Sequence, residues 1–212
     1  MTEQENGPTQ QVEDDRRDID PDATQASTPV GHGDGPDEDA SGADPDGDAQ
    51  PEQAPVLSGT PSQRLEQLGL ALPAVPAPVA AYVPAVRTGA YVHTSGQLPF
   101  VDGVLPKTGV VGDQAVDVTP EEAAELARLC AVNALAAVAS VVDLDSVVRV
   151  VKVTGFVASA PGFGGQPVVV DGASRLLGQV FGDAGRHARS AVGVAALPLG
   201  APVEVEIVVE VG

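Results

Sequence analysis

The sequence predicts an α+β domain, a two-layer sandwich in which two long helices cover one face of a mixed β-sheet. Segments rich in β-branched residues alternate along the chain with segments whose apolar residues recur at helical spacing. The last segment, residues 201–211, alternates valine or isoleucine with glutamate over most of its length, as a strand with one buried face does. Helices and strands that each bury one face pack as layers, which gives the predicted fold class.

Residues 1–59 form an acidic N-terminal tail that we expect to be disordered. They contain 16 aspartates and glutamates against two arginines, whereas the rest of the chain has 14 acidic and nine basic residues. Because the tail has few apolar side chains, burial cannot offset the conformational entropy that ordering it would cost. The folded domain is therefore predicted to span residues 60–212. A solubilising extension is the simpler role for the tail, and a specific interaction arm is the alternative.

The first half of the domain is predicted to contain a short helix, a β-hairpin and a long helix. Thr60, followed by proline and then by Gln63, has the capping-box pattern that begins a helix. Two β-prone segments, residues 80–86 and 90–95, flank a turn and indicate the hairpin. A second capping box at Thr119 begins a helix that we expect to reach about residue 141, with a stripe of small side chains that lets a sheet approach closely.

The second half is predicted to contain a strand, a helix and two further strands. The strand is residues 147–158, and the helix is residues 171–181, ending at Gly182. Residues 190–196 and 201–211 are the last two strands. The predicted order after the short helix is thus β-β-α-β-α-β-β. The short connection between the last two strands predicts that they are antiparallel neighbours.

Composition excludes several classes of protein. Cys130 is the only cysteine, so no internal disulfide is possible, and its helical segment predicts a buried packing residue. The chain begins with acidic and polar residues rather than a signal peptide, and no segment approaches the roughly 18 apolar residues of a membrane span. Nine scattered bases in a net-negative domain disfavour nucleic acid as a partner. We therefore expect a cytoplasmic protein that binds neither membranes nor nucleic acids.

Metal and nucleophile motifs are also missing from the sequence. His32, His93 and His187 do not have the spacing of metal ligands. Ser95 and His93 have no nucleophile-elbow motif around them. We expect no metal site.

Two charged residues near the C-terminus, Arg189 and Glu204, are candidates for a functional site. Arg189 begins a strand whose same-side successors are Ala191 and Gly193, so its guanidinium would lie at the floor of a cavity. The planar guanidinium can bind a carboxylate through two parallel hydrogen bonds. Glu204 lies on the next strand. If the two strands are neighbours, the pattern alone favours an ordinary cross-strand ion pair between Arg189 and Glu204.

Three motifs together resemble a known family. The segment from Arg189 to Glu206, the turn Ser95-Gly96-Gln97 followed by Pro99, and Tyr82 thirteen residues before Ser95 occur in this order. Their order and spacing resemble those of the RidA/YjgF family of reactive enamine and imine deaminases, formerly described as endoribonuclease L-PSP. The resemblance covers residues 80–211. It departs from the family pattern at Ala191, where cysteine is frequent, and in residues 162–177, which are longer than usual.

The resemblance implies a chorismate-mutase-like fold and a homotrimer with active sites at the subunit interfaces. It implies that Arg189 holds the carboxylate of a 2-imino or 2-enamino acid, and that Glu204 moves protons or activates water. The other residues that it implies for substrate binding are Tyr82, Ser95, Gly96 and Asp171. The product would be a 2-keto acid with ammonia, formed without a metal or an organic cofactor.

Two other functions are compatible with the same residues. A non-catalytic trimer could use the pocket to bind a small carboxylated metabolite, which would need Arg189 but not a proton carrier at Glu204. A ribonuclease, as in the older name of the family, is disfavoured because an acidic domain repels a polyanion.

Overall fold

The computed structural model describes residues 57–75, 81–113 and 117–212. Nearly all of the predicted acidic tail, residues 1–56, lies outside these described residues, as does the first residue of the segment predicted as strand 80–86. None of the helices in the described part of the chain is long and apolar enough to cross a membrane.

Three α-helices and five strands are present in the described residues, in the predicted order. A short helix begins where the first capping box predicts, and a second capping box, at Thr119, begins the long helix. The third helix begins five residues earlier than residue 171, because a proline in its first turn favours a helix start there. The elements are α1 (Pro61–Gln67), β1 (Ala85–Thr88), β2 (Tyr91–Thr94), α2 (Pro120–Ala139), β3 (Val147–Ala158), α3 (Gln166–Phe181), β4 (Ala188–Val194) and β5 (Val203–Val211).

The five strands form one mixed sheet in the order β1-β2-β5-β3-β4. Only β3 and β4 are parallel, and the other neighbours are antiparallel. The fold class predicted from the sequence, a mixed sheet with helices packed on it, is confirmed.

The prediction that the last two strands are neighbours was wrong, because β3 lies between β4 and β5. The crossover through α3 places β4 parallel to β3 on one side, and β5 then pairs with the other side of β3. The connecting segment passes over the end of β3. There Ser159 donates its N–H to the Val194 carbonyl at 3.0 Å, and Ala158 donates to the Pro202 carbonyl at 2.9 Å.

The core lies between the sheet and the two long helices. Every second residue of β5 from Val203 to Val211 is buried there. Small residues bring the layers together: a Cβ on Gly155 of β3 would overlap the side chain of Val170 on α3. Cys130 is fully buried in α2, with its Sγ 3.6 Å from the Val203 carbonyl oxygen, so the prediction of a packing cysteine is confirmed.

The sheet face turned away from α2 and α3 is called the open face below. Alternation along β5 assigns Glu204, Glu206, Val208 and Glu210 to it. Apolar side chains on this face are exposed in the single chain: Val86 is 51% exposed, Tyr91 42% and Val192 42%. A sheet face with exposed apolar residues is a surface that another molecule can cover.

The contact between α2 and α3 predicts opposite effects of two glycine substitutions on the same helix. A Cβ at Gly172 would overlap the backbone carbonyl of Ala124, whereas no atom lies within 4 Å of a Cβ at Gly178. We expect Gly172→Ala to lower the free energy of unfolding by about 1–3 kcal/mol, because the helices must move apart. Gly178→Ala is the matched control and should raise it by up to about 1 kcal/mol through helix propensity.

Denaturant unfolding of both variants and the wild type checks this prediction. Equal stability of Gly172→Ala and Gly178→Ala would show that the two helices do not pack as closely as the structure has them.

Candidate functional site

Glu204 lies against the Ser95–Gly96 turn. It projects from β5 on the open face, and a Cβ on Gly96 would overlap its carboxylate oxygen Oε1. The absence of a side chain at Gly96 is therefore what makes room for the carboxylate. The structure thus brings together three of the residues singled out in the sequence, two from the turn and one from the last strand.

Hydrogen bonds hold this turn at the edge of β5. The Ser95 hydroxyl donates to the Val83 carbonyl at 2.7 Å, and the Ser95 N–H donates to the Pro84 carbonyl at 2.8 Å. Gln97 exchanges two backbone hydrogen bonds with Val205, at 2.8 and 3.0 Å. Because Val205 directly follows Glu204 in the chain, this bridge fixes the turn relative to the carboxylate.

Asn133 is a contributor to this arrangement that sequence reasoning missed. Its side-chain amide donates to the carbonyls of Leu98 at 2.8 Å and Phe100 at 3.1 Å. It therefore ties the segment after the turn to α2. The signal was present in the sequence, since Asn133 is the one amide side chain within the small and apolar stretch of that helix.

Tyr82 lies two residues before Pro84, in the segment to which Ser95 is bonded. Its side chain is 61% exposed. The structure thus places Tyr82 near the Ser95 turn, on an open surface rather than in a closed pocket of the single chain.

Burial raises the pKa of the Glu204 carboxyl above its ordinary value of 4.5, and the charge of Glu206, its neighbour on the same face, raises it further. The effect of this raised pKa on stability has a definite sign. Between pH 4.5 and the raised pKa, the folded state keeps a proton that the unfolded state releases, so stability falls as the pH rises through this window.

Glu204→Gln should therefore be at least as stable as the wild type at neutral pH, because the amide has no charge to desolvate. Melting temperatures of both proteins between about pH 4 and about pH 8 test this, and the difference should grow with pH in favour of the variant. A variant clearly less stable than the wild type at neutral pH would mean that the Glu204 charge stabilises the fold.

Arg189 occupies a second position, on the helix side of the sheet. Its Nη1 donates to Asp171 Oδ1 at 2.5 Å and to Ser174 Oγ at 3.2 Å, and both partners belong to α3. The Arg189 and Asp171 side chains are 25% and 41% exposed. Within the described residues, every hydrogen bond of the guanidinium comes from Nη1, and Nη2 and Nε make none.

Arg189 and Glu204 do not form the cross-strand ion pair that the pattern alone favoured. Arg189 aligns with Val153 and, through it, with Ile207, three residues from Glu204 on β5. An odd offset puts the two side chains on opposite faces of the sheet. Two strand spacings across and three residues along separate their backbones by about 14 Å. Arg189 pairs with Asp171 instead, because α3 packs on the face to which the arginine points.

The candidate residues therefore form two separate groups in one chain, which we call the two halves of the candidate site. Arg189 with Asp171 forms a group that suits a carboxylate ligand, since a guanidinium can donate two parallel hydrogen bonds to the two carboxylate oxygens. Glu204 with the Ser95–Gly96 turn forms a half with a proton carrier and an adjacent backbone. Within the described residues, no group of three or more histidine, cysteine, aspartate or glutamate side chains has the arrangement of a metal site.

Comparison with known proteins shows which family and which relatives this chain is similar to. The profile of the family described as Endoribonuclease L-PSP matches residues 73–211. Protein TCP17 of Trypanosoma cruzi is 48% identical over 157 residues, which cover 73% of this chain and 96% of that protein.

Two solved structures are similar in both sequence and fold. The Agrobacterium tumefaciens protein Atu1372, described as of unknown function, is 44% identical with a TM-score of 0.65, covering 72% of this chain and 94% of its own. A Shewanella oneidensis protein described as a candidate endoribonuclease is 32% identical with a TM-score of 0.68, covering 72% of this chain and all of its own.

Proposed function

Because this chain belongs to the Endoribonuclease L-PSP family, also known as YjgF/RidA, we propose that it hydrolyses reactive 2-imino and 2-enamino acids to 2-keto acids and ammonia. The observation that carries the proposal is Glu204. This carboxylate is half-buried, has a raised pKa and lies against a bare glycine backbone, and within the described residues it forms no ion pair. A carboxyl in such surroundings suits proton transfer better than a structural role.

The chemistry needs two functions that the two halves of the site provide. Arg189 binds the substrate carboxylate through its free edge, which fixes the neighbouring C=N carbon. Glu204 takes a proton from water as the water oxygen bonds to that carbon, and it returns the proton to nitrogen. The resulting carbinolamine loses ammonia as the carbonyl forms. For an enamine, protonation of the β-carbon and loss of a proton from the nitrogen first give the imine.

Asp171 has a different role in this proposal from the one that the family resemblance implied. A carboxylate beside the substrate carboxylate would repel it, so direct substrate binding by Asp171 is unfavourable. Its ion pair with Nη1 instead orients the guanidinium. Tyr82, Ser95 and Gly96 remain the proposed lining of the other half, and the reaction as written requires no metal or organic cofactor.

Arg189 and Glu204 lie on opposite faces of the sheet in one chain, so one substrate cannot meet both side chains of the same subunit. We propose a homotrimer in which Arg189 of one subunit and Glu204 of its neighbour share each site. The exposed apolar side chains on the open face support an assembly that covers this face. Closed rotational symmetry would give every subunit the same contacts, and so three equal sites.

A direct assay tests the proposed activity. 2-Iminopropanoate is generated in solution by an amino-acid oxidase, and the release of pyruvate is followed with and without the protein. We expect pyruvate release faster than spontaneous hydrolysis, and little acceleration by Gly96→Ala, whose Cβ displaces the Glu204 carboxylate without a backbone collision. No acceleration by the wild type, together with binding of pyruvate, would favour the non-catalytic binding trimer.

The name of the family makes RNA the necessary comparison substrate. The same preparation is incubated with single-stranded RNA, and we expect no cleavage, because residues 60–212 carry 14 acidic and nine basic residues and offer few cations to phosphates. RNA cleavage that Glu204→Gln abolishes would replace the deaminase proposal with a nuclease.

A further inference from the structure

His187 is held in one orientation and one tautomer by the turn before β4. Its Nδ1 lies 2.6 Å from the Gly185 carbonyl oxygen. A carbonyl can only accept a hydrogen bond, so Nδ1 carries the proton. In the neutral ring, Nε2 is then an acceptor, and the Ser174 hydroxyl, 3.0 Å away on α3, donates to it.

The carbonyl that fixes His187 is itself fixed by packing. Gly185 is buried, and a Cβ there would overlap the backbone carbonyl of Leu177 on α3. The neutral form of the ring is favoured as well. Burial lowers the pKa of His187 below its ordinary value of 6.5, and the nearby charge of Arg189 lowers it further, against the opposing effect of the Gly185 bond.

The hydrogen bonds continue from Ser174 to Arg189. Since the Ser174 hydroxyl proton points to His187, the lone pairs of Oγ are available to Arg189 Nη1 at 3.2 Å. Nη1 donates at the same time to Asp171. A single contact would leave the guanidinium free to turn about that contact, whereas two contacts from one helix restrict its plane.

We propose that Ser174 and His187 are positioning residues, which hold the guanidinium of Arg189 in the plane needed to bind the substrate carboxylate. The series of hydrogen bonds runs from the Gly185 carbonyl through His187 and Ser174 to Nη1 of Arg189. This role rests on the proposed function only in what Arg189 binds. The restriction of the guanidinium itself is a property of the free protein and can be measured without substrate.

The first test is nuclear magnetic resonance of the arginine guanidinium groups in the full-length protein. Rotation about the Nε–Cζ bond of Arg189, assigned by its loss in Arg189→Lys, is expected to be slow in the wild type. Ser174→Ala and His187→Leu should each speed it about tenfold, the factor for one hydrogen bond to a charged group. His187→Gln should restore the slow rate, because the amide oxygen can replace Nε2 as acceptor.

The second test uses the imine assay. Ser174→Ala keeps a good helix former in α3, so the fold should persist. We expect KM to rise about tenfold with a smaller change in kcat, and the double variant Ser174→Ala/His187→Leu to match the single variants, since both break one chain of bonds. His187→Gln should have a KM near that of the wild type.

The outcomes separate the two proposals. Rotation of Arg189 that neither Ser174→Ala nor His187→Leu changes overturns the positioning role, whatever the activity. Faster rotation in both variants, combined with no imine hydrolysis by the wild type, supports the positioning role and rejects the proposed reaction. Additive KM effects in the double variant would mean that Ser174 and His187 act separately, which also contradicts the proposal.

Discussion

Arg189→Lys is expected to lower kcat/KM for imine hydrolysis about a hundredfold, while the melting temperature stays within a few degrees of the wild type. Lysine keeps the charge and can still reach Asp171, but it has no planar fork, so the substrate carboxylate can rotate about a single contact. A displacement of the reacting carbon by about 1 Å is enough for a loss of this size. The measurements are pyruvate release and thermal unfolding.

Glu204→Gln is the matched comparison for this variant. It should still bind pyruvate, because the Arg189 half is intact, yet turnover should fall, since an amide cannot carry the proton. Unfolding of both variants would assign the two residues to structural roles. Turnover by Glu204→Gln at the wild-type rate would remove the catalytic role of the glutamate and leave the binding trimer as the function.

Mixing the two impaired variants should restore activity. If each site takes its arginine from one subunit and its glutamate from the next, random reassortment of equal amounts of Arg189→Lys and Glu204→Gln chains leaves about a quarter of the sites with both native residues. We therefore expect about a quarter of wild-type activity after the mixture is dissociated and reassembled. Each variant alone, treated in the same way, should keep its low activity.

This experiment distinguishes between the two possible locations of the site. In a site formed within one chain, every chain of the mixture would carry one altered residue, so mixing could restore nothing. Light scattering on the same samples should give the mass of a trimer. Monodisperse monomers, or activity that does not recover on mixing, would contradict an intersubunit site.

Much of the secondary structure was predictable because its signals are local. The two capping boxes and the alternation along β5 depend on residues within a few positions of each other, and each was found where the sequence placed it. The start of α3 was misplaced by five residues, because the prediction relied on the apolar residues of its second half and not on the proline in its first turn.

Strand pairing was harder to predict from the sequence, since it depends on which strands a connecting segment passes over. The segment between β4 and β5 is as compatible with a hairpin as with a passage over the end of β3, and only the tertiary structure distinguishes these. With β3 between them, the register places Glu204 on the opposite face from Arg189, and Arg189 forms its ion pair with Asp171.

By itself, the sequence determined the fold class, the family motifs and the residue types of the candidate site. Hydrophobic periodicity and motif spacing depend only on the order of the residues. Only the tertiary structure decided how those residues combine. It placed Gly96 against Glu204, joined Ser174 and His187 to Arg189, and put Arg189 and Glu204 on opposite faces of the sheet. The physical reason is that these contacts join residues distant in sequence, whose meeting depends on strand order and layer packing rather than on local preference.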